Sequence, residues 1–382
     1  MKEKLVERAR KAIPSGIARK LWVKSGGRCQ YDGCNTPLWK DSLMQKDLNK
    51  SYISHIVAAS VDGPRGDEVL SKQLEIDFGN LMLLCDECHR RIDKREVQNH
   101  TREALIKMKQ KQERNIELLT ALVPDKKSHI VSFTSKIGSF DPTIKFEDCV
   151  QAILPDYYPV SDNIIQLGTS NVVIQDDKEN YWDIHAYQLE EMVKQSIKPL
   201  ITNGKTPHFS VFALAPQPLL IKLGTLLSEL TISEIYQFHR EPKQSWKWQK
   251  EEDSLEIKLI EPKDFRKNAV LIISISDNVD EKRIYDTLGK EVSIWKITLD
   301  NPNRNILKNR QTLINFKNQV RDAYSKIKLN YKNEIHIFPV MPNSCAIETG
   351  KVWMEKADLS LIIYDQNSTN NGFKKVLEIK KK

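Results

Sequence analysis

Apolar residues over Thr101–Thr120 fall at Leu105, Ile106, Met108, Ile116, Leu118 and Leu119 among charged residues and glutamines. That spacing predicts a surface helix with one buried stripe. Pro124 ends the pattern, and the polar run PDKKSH reads as a connection. These signals divide the chain into a first domain over residues 1–122, a linker over 123–140 and a second domain over 141–382. In the second domain short apolar runs alternate with helical patterns. Strands are expected over Phe209–Leu214, Ser254–Ile260, Ala269–Ile275, Ile335–Val340 and Leu359–Tyr364, and helices over Tyr187–Lys198, Leu219–Leu230 and Gln311–Lys326. Such alternation predicts α/β units built on buried parallel strands.

A faint repeat runs through this half. The stretch Phe212 to Gly224 (FALAPQPLLIKLG) can be laid over Phe338 to Gly350 (FPVMPNSCAIETG) with Phe, Pro, Ile and Gly at the same offsets. Each stretch follows a β-rich run and opens a helical one, so duplication of one strand–loop–helix unit is the simplest explanation.

With 382 residues, 40% hydrophobic and 29% charged, the chain has material for more than one core. No apolar run is long enough for a transmembrane helix, and the charged N-terminus lacks the apolar core of a secretory signal. The expected location is therefore cytoplasmic, without membrane partners, where cysteines are free or metal-bound rather than paired in disulfides. The formal net charge of +8 suits a polyanionic partner, but a solvated basic surface of this size is equally common.

Cysteine spacing is more informative. Cys29 and Cys34 form one close pair, and Cys85 and Cys88 another. Each short spacing lets two thiolates approach an ion from one turn, and two such turns complete a tetrahedron around a structural Zn²⁺. His55, Asn80 and His89 lie between and just after the pairs, in the strings SHIV, GNLMLLC and CHRRID.

Across residues 15–115 these strings resemble the HNH nuclease family, with its H-I, N-L-x-x-L-C and C-x-x-C-H patterns. The resemblance implies an α+β first domain of ββα-metal fold that hydrolyses phosphodiesters. His55 would be the general base, Asn80 would hold the loop carrying it, and His89 would bind a catalytic Mg²⁺ or other divalent ion. Asp93, four residues further on the same helix face, would add a second ligand or support the first. Many HNH enzymes carry an acidic residue or histidine just before the base, whereas this chain has Ser54, so Asp62 or Asp67 are further candidates. Arg65, Arg90, Arg91 and Lys94 are placed to hold phosphates of double-stranded DNA. Nothing there reads base sequence.

The second domain resembles SAVED, a sensor of cyclic oligonucleotides in bacterial antiphage (CBASS-type) systems. The strings FALAPQPLLIKLG, YQFHREPKQSWKW, IWKITLDNPNR and HIFPVMPNSCAIETG carry the resemblance. It implies an α/β domain of two CARF-like, Rossmann-type units. A cyclic di- or trinucleotide activator would bind this domain, drive homo-oligomerisation and switch on DNA cleavage. Strand-to-helix loops favour phosphates, which points to Pro216 and Gln217 in one unit and Asn343 and Ser344 in the other. Trp182 and Trp246 are candidates to stack on bases, and Arg240 and Arg304 to meet phosphates. Two rivals stand beside this reading: an ungated restriction-type HNH nuclease, and a non-catalytic zinc-containing protein that grips nucleic acid.

Overall fold

The computed structural model describes residues 11–40, 46–121, 126–138, 140–168, 180–201, 207–227, 232–249, 253–366 and 372–381. Its contacts divide the chain into two units, Met1–Leu122 and Val123–Lys382.

In the first unit, helix α1 (Ser15–Ser25) ends at Gly26, whose φ of 60° is a left-handed conformation that side chains resist. Strand β1 (Ser51–His55) leads to a short helix α2 (Leu70–Gln73) and then to strand β2 (Leu81–Cys85). The two strands pair antiparallel, with Ser51 opposite Cys85 and His55 opposite Leu81. Strand β2 runs directly into helix α3 (Asp86–Arg90), which continues as a wider π turn over Arg91–Arg95. Helix α4 (Arg102–Thr120) starts where the sequence pattern puts it, because the Thr101 hydroxyl accepts a hydrogen bond from the Ala104 N–H. Leu38, Ile56, Leu83, Ile92 and Leu105 are fully buried and form the centre of this unit.

The second unit contains one topology twice. Its first copy has β3 (Lys127–Thr134), α5 (Phe146–Ile153), the short strands β4 (Tyr158–Pro159) and β5 (Ile165–Gln166), α6 (Tyr181–Ser196), α7 (Lys198–Ile201), β6 (His208–Leu214), α8 (Gln217–Leu227) and β7 (Ser233–Tyr236). Strand β8 (Lys258–Ile260) follows. The second copy has β9 (Asn268–Ser274), α9 (Glu281–Leu288), β10 (Val292–Thr298), α10 (Arg310–Asn330), β11 (Ile335–Val340), α11 (Asn343–Lys351) and β12 (Leu361–Asp365), and β13 (Lys374–Ile379) closes the chain's last sheet. One sheet has the order β4-β3-β6-β7, with β5 also on β3; the other runs β13-β12-β11-β9-β10-β8. Within each copy the strands are parallel and the spatial order is second, first, third, fourth, while β8 and β13 are antiparallel additions at the edges. The central strands β6 and β9 are buried along nearly their whole length, as continuous apolar runs in parallel sheets require.

The positions that coincide in sequence also correspond in space. Phe212 stacks on Tyr236 with ring centroids 4.6 Å apart, and Phe338 stacks on Tyr364 at 4.3 Å. Helices α8 and α11 cross so closely that a Cβ on Gly224 would run into the Ile347 carbonyl, and one on Gly350 into the Ile221 carbonyl. Gly224→Ala is therefore expected to destabilise this unit by about 1–3 kcal/mol through overpacking, read as a lower urea midpoint. An unchanged midpoint would mean that the crossing has slack.

Three expectations are corrected here. The segment 123–140 is not simply a linker, because β3 lies within it and is a central strand of its sheet. Its polar residues are satisfied internally: Ser128 Oγ lies 2.8 Å from Ser210 Oγ and 2.9 Å from His208 Nδ1. The strand expected over Ser254–Ile260 shrinks to β8, an edge strand. The helix expected over Tyr187–Lys198 begins earlier, at Tyr181, and ends at Ser196. The far end of the helix expected over Leu219–Leu230 lies outside the described residues.

Candidate functional site

The first unit brings its four close-spaced cysteines together. The sulfurs of Cys29, Cys34, Cys85 and Cys88 all lie within 4.8 Å of one another, and none is in a disulfide. Sulfurs about 2.3 Å from one tetrahedral zinc stand about 3.8 Å apart; Cys34 Sγ and Cys85 Sγ are 3.9 Å apart. Cys29 and Cys34 flank a turn closed by the Cys34 N–H donating to the Tyr31 carbonyl, while Cys85 ends β2 and Cys88 sits in the first turn of α3. Burial pushes the Cys29 thiol up to about 12 and raises that of Cys88 as well. Four thiols close to one another, two of them buried and two partly exposed, suit a soft divalent cation, whose charge would offset that cost.

Next to the cluster, β1 and α3 carry the other candidates. His55 Nε2 lies 2.8 Å from the Glu75 carbonyl oxygen. A carbonyl only accepts, so Nε2 carries the proton and the lone pair is on Nδ1. Asn80, 4% exposed, accepts from the Val57 N–H at 2.8 Å and donates to the carbonyls of Val57 at 3.0 Å and Leu74 at 3.1 Å. These bonds fix the chain as it leaves β1, two residues beyond His55.

Asp93 is the hub of the remaining groups. Its Oδ2 lies 3.2 Å from His89 Nε2 and 3.3 Å from Ser54 Oγ, and its Oδ1 accepts from Arg65 Nη2 at 2.6 Å. The His89 ring is sandwiched further by Tyr52, stacked at 4.9 Å with planes 7° apart. Tyr52 and Ser54 were not singled out as site residues by sequence. Their spacing of two on a strand, which directs both to one face, is the signal that could have found them.

Two readings change. Arg65 does not reach outward as a phosphate contact: besides Asp93 it donates to the Ile56 carbonyl at 2.6 Å and the Ile92 carbonyl at 2.8 Å, and its side chain is 9% exposed. Asp67 closes the turn that leads into α2, accepting from the Val69 and Leu70 N–H groups at 2.9 and 2.8 Å, which holds its carboxyl below the usual range. Asp62 is exposed. Arg90, paired with Asp86 at 2.9 Å, and Lys94 are exposed, while Arg91 lies over the Tyr31 ring at 5.7 Å. Exposed pairs of this kind are weak and leave the cations free to exchange partners.

In the second unit the carboxyl ends of the parallel strands frame a cleft of about 590 Å³. Pro216, Gln217, Asn343, Arg240 and Arg304 all line it. The two loops also clasp each other: Gln217 Oε1 accepts from the Met341 N–H at 3.3 Å, and Asn343 Nδ2 donates to the Ala213 carbonyl at 3.2 Å. Helices α8 and α11 start at the cleft, which the exposed side chains of Arg240 and Arg304 also line.

Three other candidates are displaced from this cleft. Ser344 is fully buried, and its hydroxyl donates to Gln237 Oε1 at 2.8 Å, so it holds the loop rather than a ligand. Trp182 and Trp246 are core residues, 8% and 3% exposed, packed edge-on to Tyr181 and Phe212. Large aromatic area is the strongest reason for a side chain to be buried, and both rings find partners there. Gln237, which lines the cleft, was missed; one glutamine in a loop gives no periodic signal.

Several comparisons bear on this chain. No curated protein matches it. Similar solved structures include the Cap4 SAVED/CARF-domain containing receptor of Acinetobacter baumannii with the cyclic trinucleotide 2'3'3'-cAAA, at 14% identity and a TM-score of 0.42, covering 81% of this chain and 61% of that one. The same receptor with 3'3'3'-cAAA matches at 14% identity and 0.39, over 81% and 61%. The Cap4 receptor of Moraxella osloensis matches at 10% identity and 0.42, over 82% and 66%. The chain thus spans 61% to 66% of the length of these structures. Among the described residues no helix is long and apolar enough to cross a membrane. A family model described as the SMODS-associated and fused to various effectors sensor domain matches residues 189–379, from within α6 to the end of β13. That stretch is half of the chain and contains both α8 and α11 with their reciprocal glycines, so the chain belongs to the SAVED family.

Proposed function

We propose that the chain is a sensor joined to a cutting unit: an HNH-type, metal-dependent endonuclease that degrades double-stranded DNA when its SAVED unit binds a cyclic oligonucleotide. Its setting would be bacterial antiphage defence. The observation that carries the nuclease reading is the meeting of His89 and Ser54 at Asp93, one residue from His55 and beside a four-cysteine cluster.

In this reading His55 Nδ1 takes the proton from the attacking water, while the Glu75 carbonyl holds the imidazole in the required tautomer. Asn80 keeps the strand exit in place. Arg65 grips one oxygen of Asp93 and so turns the other toward His89 and Ser54. A divalent cation such as Mg²⁺, held by His89 and Asp93, would stabilise charge on the scissile phosphate. Arg90, Arg91 and Lys94 supply sequence-independent contacts to the DNA backbone. In the SAVED unit the amino ends of α8 and α11, with Arg240 and Arg304, favour the phosphates of a ring-shaped dinucleotide or trinucleotide. Binding there would assemble copies of the chain and start cleavage.

Incubation of the full chain with supercoiled plasmid and Mg²⁺ tests this. Nicking or linearisation is expected only when one member of a panel of cyclic di- and trinucleotides is added. Equal cutting without nucleotide would sink the gating and favour a restriction-type enzyme. DNA retention without cutting, even by a ring that binds measurably, would favour the non-catalytic rival.

A further inference from the structure

Arg65, the basic side chain that turns inward in the first unit, meets more than Asp93. It donates from all three guanidinium nitrogens: Nε to the Ile56 carbonyl at 2.6 Å, Nη1 to the Ile92 carbonyl at 2.8 Å and Nη2 to Asp93 Oδ1 at 2.6 Å. Ile56 follows His55 at the exit of β1, and Ile92 precedes Asp93 in the π turn that extends α3. One planar group therefore ties the backbone beside His55 to the backbone beside Asp93. The other side of Ile56 is fixed as well, since its N–H donates to the Asn80 carbonyl at 2.8 Å.

The backbone is shaped for this contact. Arg65 has a φ of 56°, a left-handed conformation that a residue with a Cβ keeps only where its surroundings hold it. The turn around it is tight: a Cβ on Gly66 would run into the Val61 carbonyl, and one on Gly63 into the Ala58 Cβ. Glycine would reverse the chain at position 65 without strain. A strained turn that sends its side chain inward to 9% exposure, onto three acceptors, serves the contact rather than the reversal. What it joins also matters. His89 Nε2 and Asp93 Oδ2, 3.2 Å apart, match the roughly 3 Å between neighbouring ligands of an octahedral cation about 2.1 Å away. An attacking water must meet both that cation and the base, so their separation has to be held.

We propose that Arg65 is a positioning residue that sets His55 at its working distance from the cation site of His89 and Asp93. It acts through geometry rather than through charge. A guanidinium reaches three acceptors in fixed directions, whereas a lysine ammonium is a point charge that keeps only the attraction to Asp93. This inference rests on the nuclease reading of the first unit.

Arg65→Lys in the full chain separates geometry from charge. Cleavage of supercoiled plasmid at saturating Mn²⁺, with the panel of cyclic di- and trinucleotides, is expected to fall about 10- to 100-fold, as when a group supporting a metal site is lost. Calorimetric uptake of Mn²⁺ at the site that His89→Ala abolishes should stay close to that of the wild type, because the charge beside Asp93 is kept. Arg65→Gly guards against misfolding: glycine takes a φ of 56° freely, so the turn persists, and methylguanidine should enter the vacated space and restore cutting. Wild-type cutting by Arg65→Lys would overturn the brace, as would loss of cutting and of Mn²⁺ uptake together, or a folded Arg65→Gly that methylguanidine fails to rescue. A first unit unfolded in both variants would make Arg65 a stability residue and overturn the proposal too. Each of these leaves the nuclease reading in place, whereas plasmid left intact by the wild-type chain under every condition would overturn both.

Discussion

Replacing His55 with alanine is expected to lower nucleotide-stimulated plasmid cleavage by about 10²–10⁴-fold, the usual contribution of a positioned general base. The variant should fold normally. His55 is only half-buried, lies outside the apolar core of its unit, and among the described residues its side chain makes one hydrogen bond, to the Glu75 carbonyl. Losing that bond costs about 1 kcal/mol, too little to unfold the unit. The SAVED cleft contains no part of it, so binding of the activating ring should be unchanged. Loss of cutting with ring binding and thermal melting intact would therefore place His55 in the chemistry. Wild-type rates in His55→Ala would remove the proton-transfer role and, with it, the strongest reason to read this unit as a nuclease. A parallel His89→Ala variant separates proton transfer from cation binding. It should lose activity with a shifted Mg²⁺ dependence, whereas His55→Ala should keep the wild-type Mg²⁺ dependence on whatever rate remains.

The sequence pattern was clearest where burial and apolarity coincide. Strands β6, β9 and β11 are near-continuous apolar runs, and α4 has a capping threonine at the expected place. The duplication was legible from paired phenylalanines, prolines, isoleucines and glycines at the same offsets, the glycines because the crossing of α8 and α11 leaves no room for a side chain at its centre. Strand β3 was hidden for the opposite reason. Its serines and histidine look solvated in a one-dimensional pattern, yet Ser128 is fully buried because a hydroxyl and an imidazole from β6 satisfy it. Polar pairing across strands has no periodic signature.

Site residues follow the same division. The meeting of the four cysteines and the placement of the two loops at one cleft were legible, since short spacings and helix starts are local features. Arg65 was misread because a basic residue in a loop looks solvent-facing. Three separate acceptors, two of them backbone carbonyls far apart in sequence, take it inward. Trp182 and Trp246 were misread because composition records an aromatic ring but not its neighbours. The Asp93 hub needed three elements at once: β1 for Ser54, α3 for His89 and the loop holding Arg65.

The four-cysteine cluster leads to the second large effect. Cys85→Ser or Cys88→Ser is expected to unfold the first unit, or to lower its melting so far that it is not folded at working temperature, while the SAVED unit keeps its own transition. Zinc binding in small modules supplies about 10–16 kcal/mol of apparent free energy at pH 7, as much as the whole stability of a typical domain, about 5–15 kcal/mol. The architecture explains why the loss would spread. Cys29 belongs to a segment with no regular structure, held to the strands largely through Gln30, whose backbone N–H donates to the Leu83 carbonyl at 2.9 Å and whose Oε1 accepts from the Leu83 N–H at 2.8 Å. Cys85 and Cys88 lie where β2 turns into α3, the helix that carries His89. Releasing the sulfurs would leave buried thiols without an ion and free the helix that positions His89, so cleavage should vanish together with the fold. Metal analysis of the purified full chain should give one zinc per chain, and calorimetry should show two transitions, only the first sensitive to a strong chelator. A chain that carries no zinc and melts identically after Cys85→Ser would show that the sulfurs meet for packing alone. The nuclease reading would then rest on His55, His89 and Asp93 without the staple at the start of the helix that carries His89.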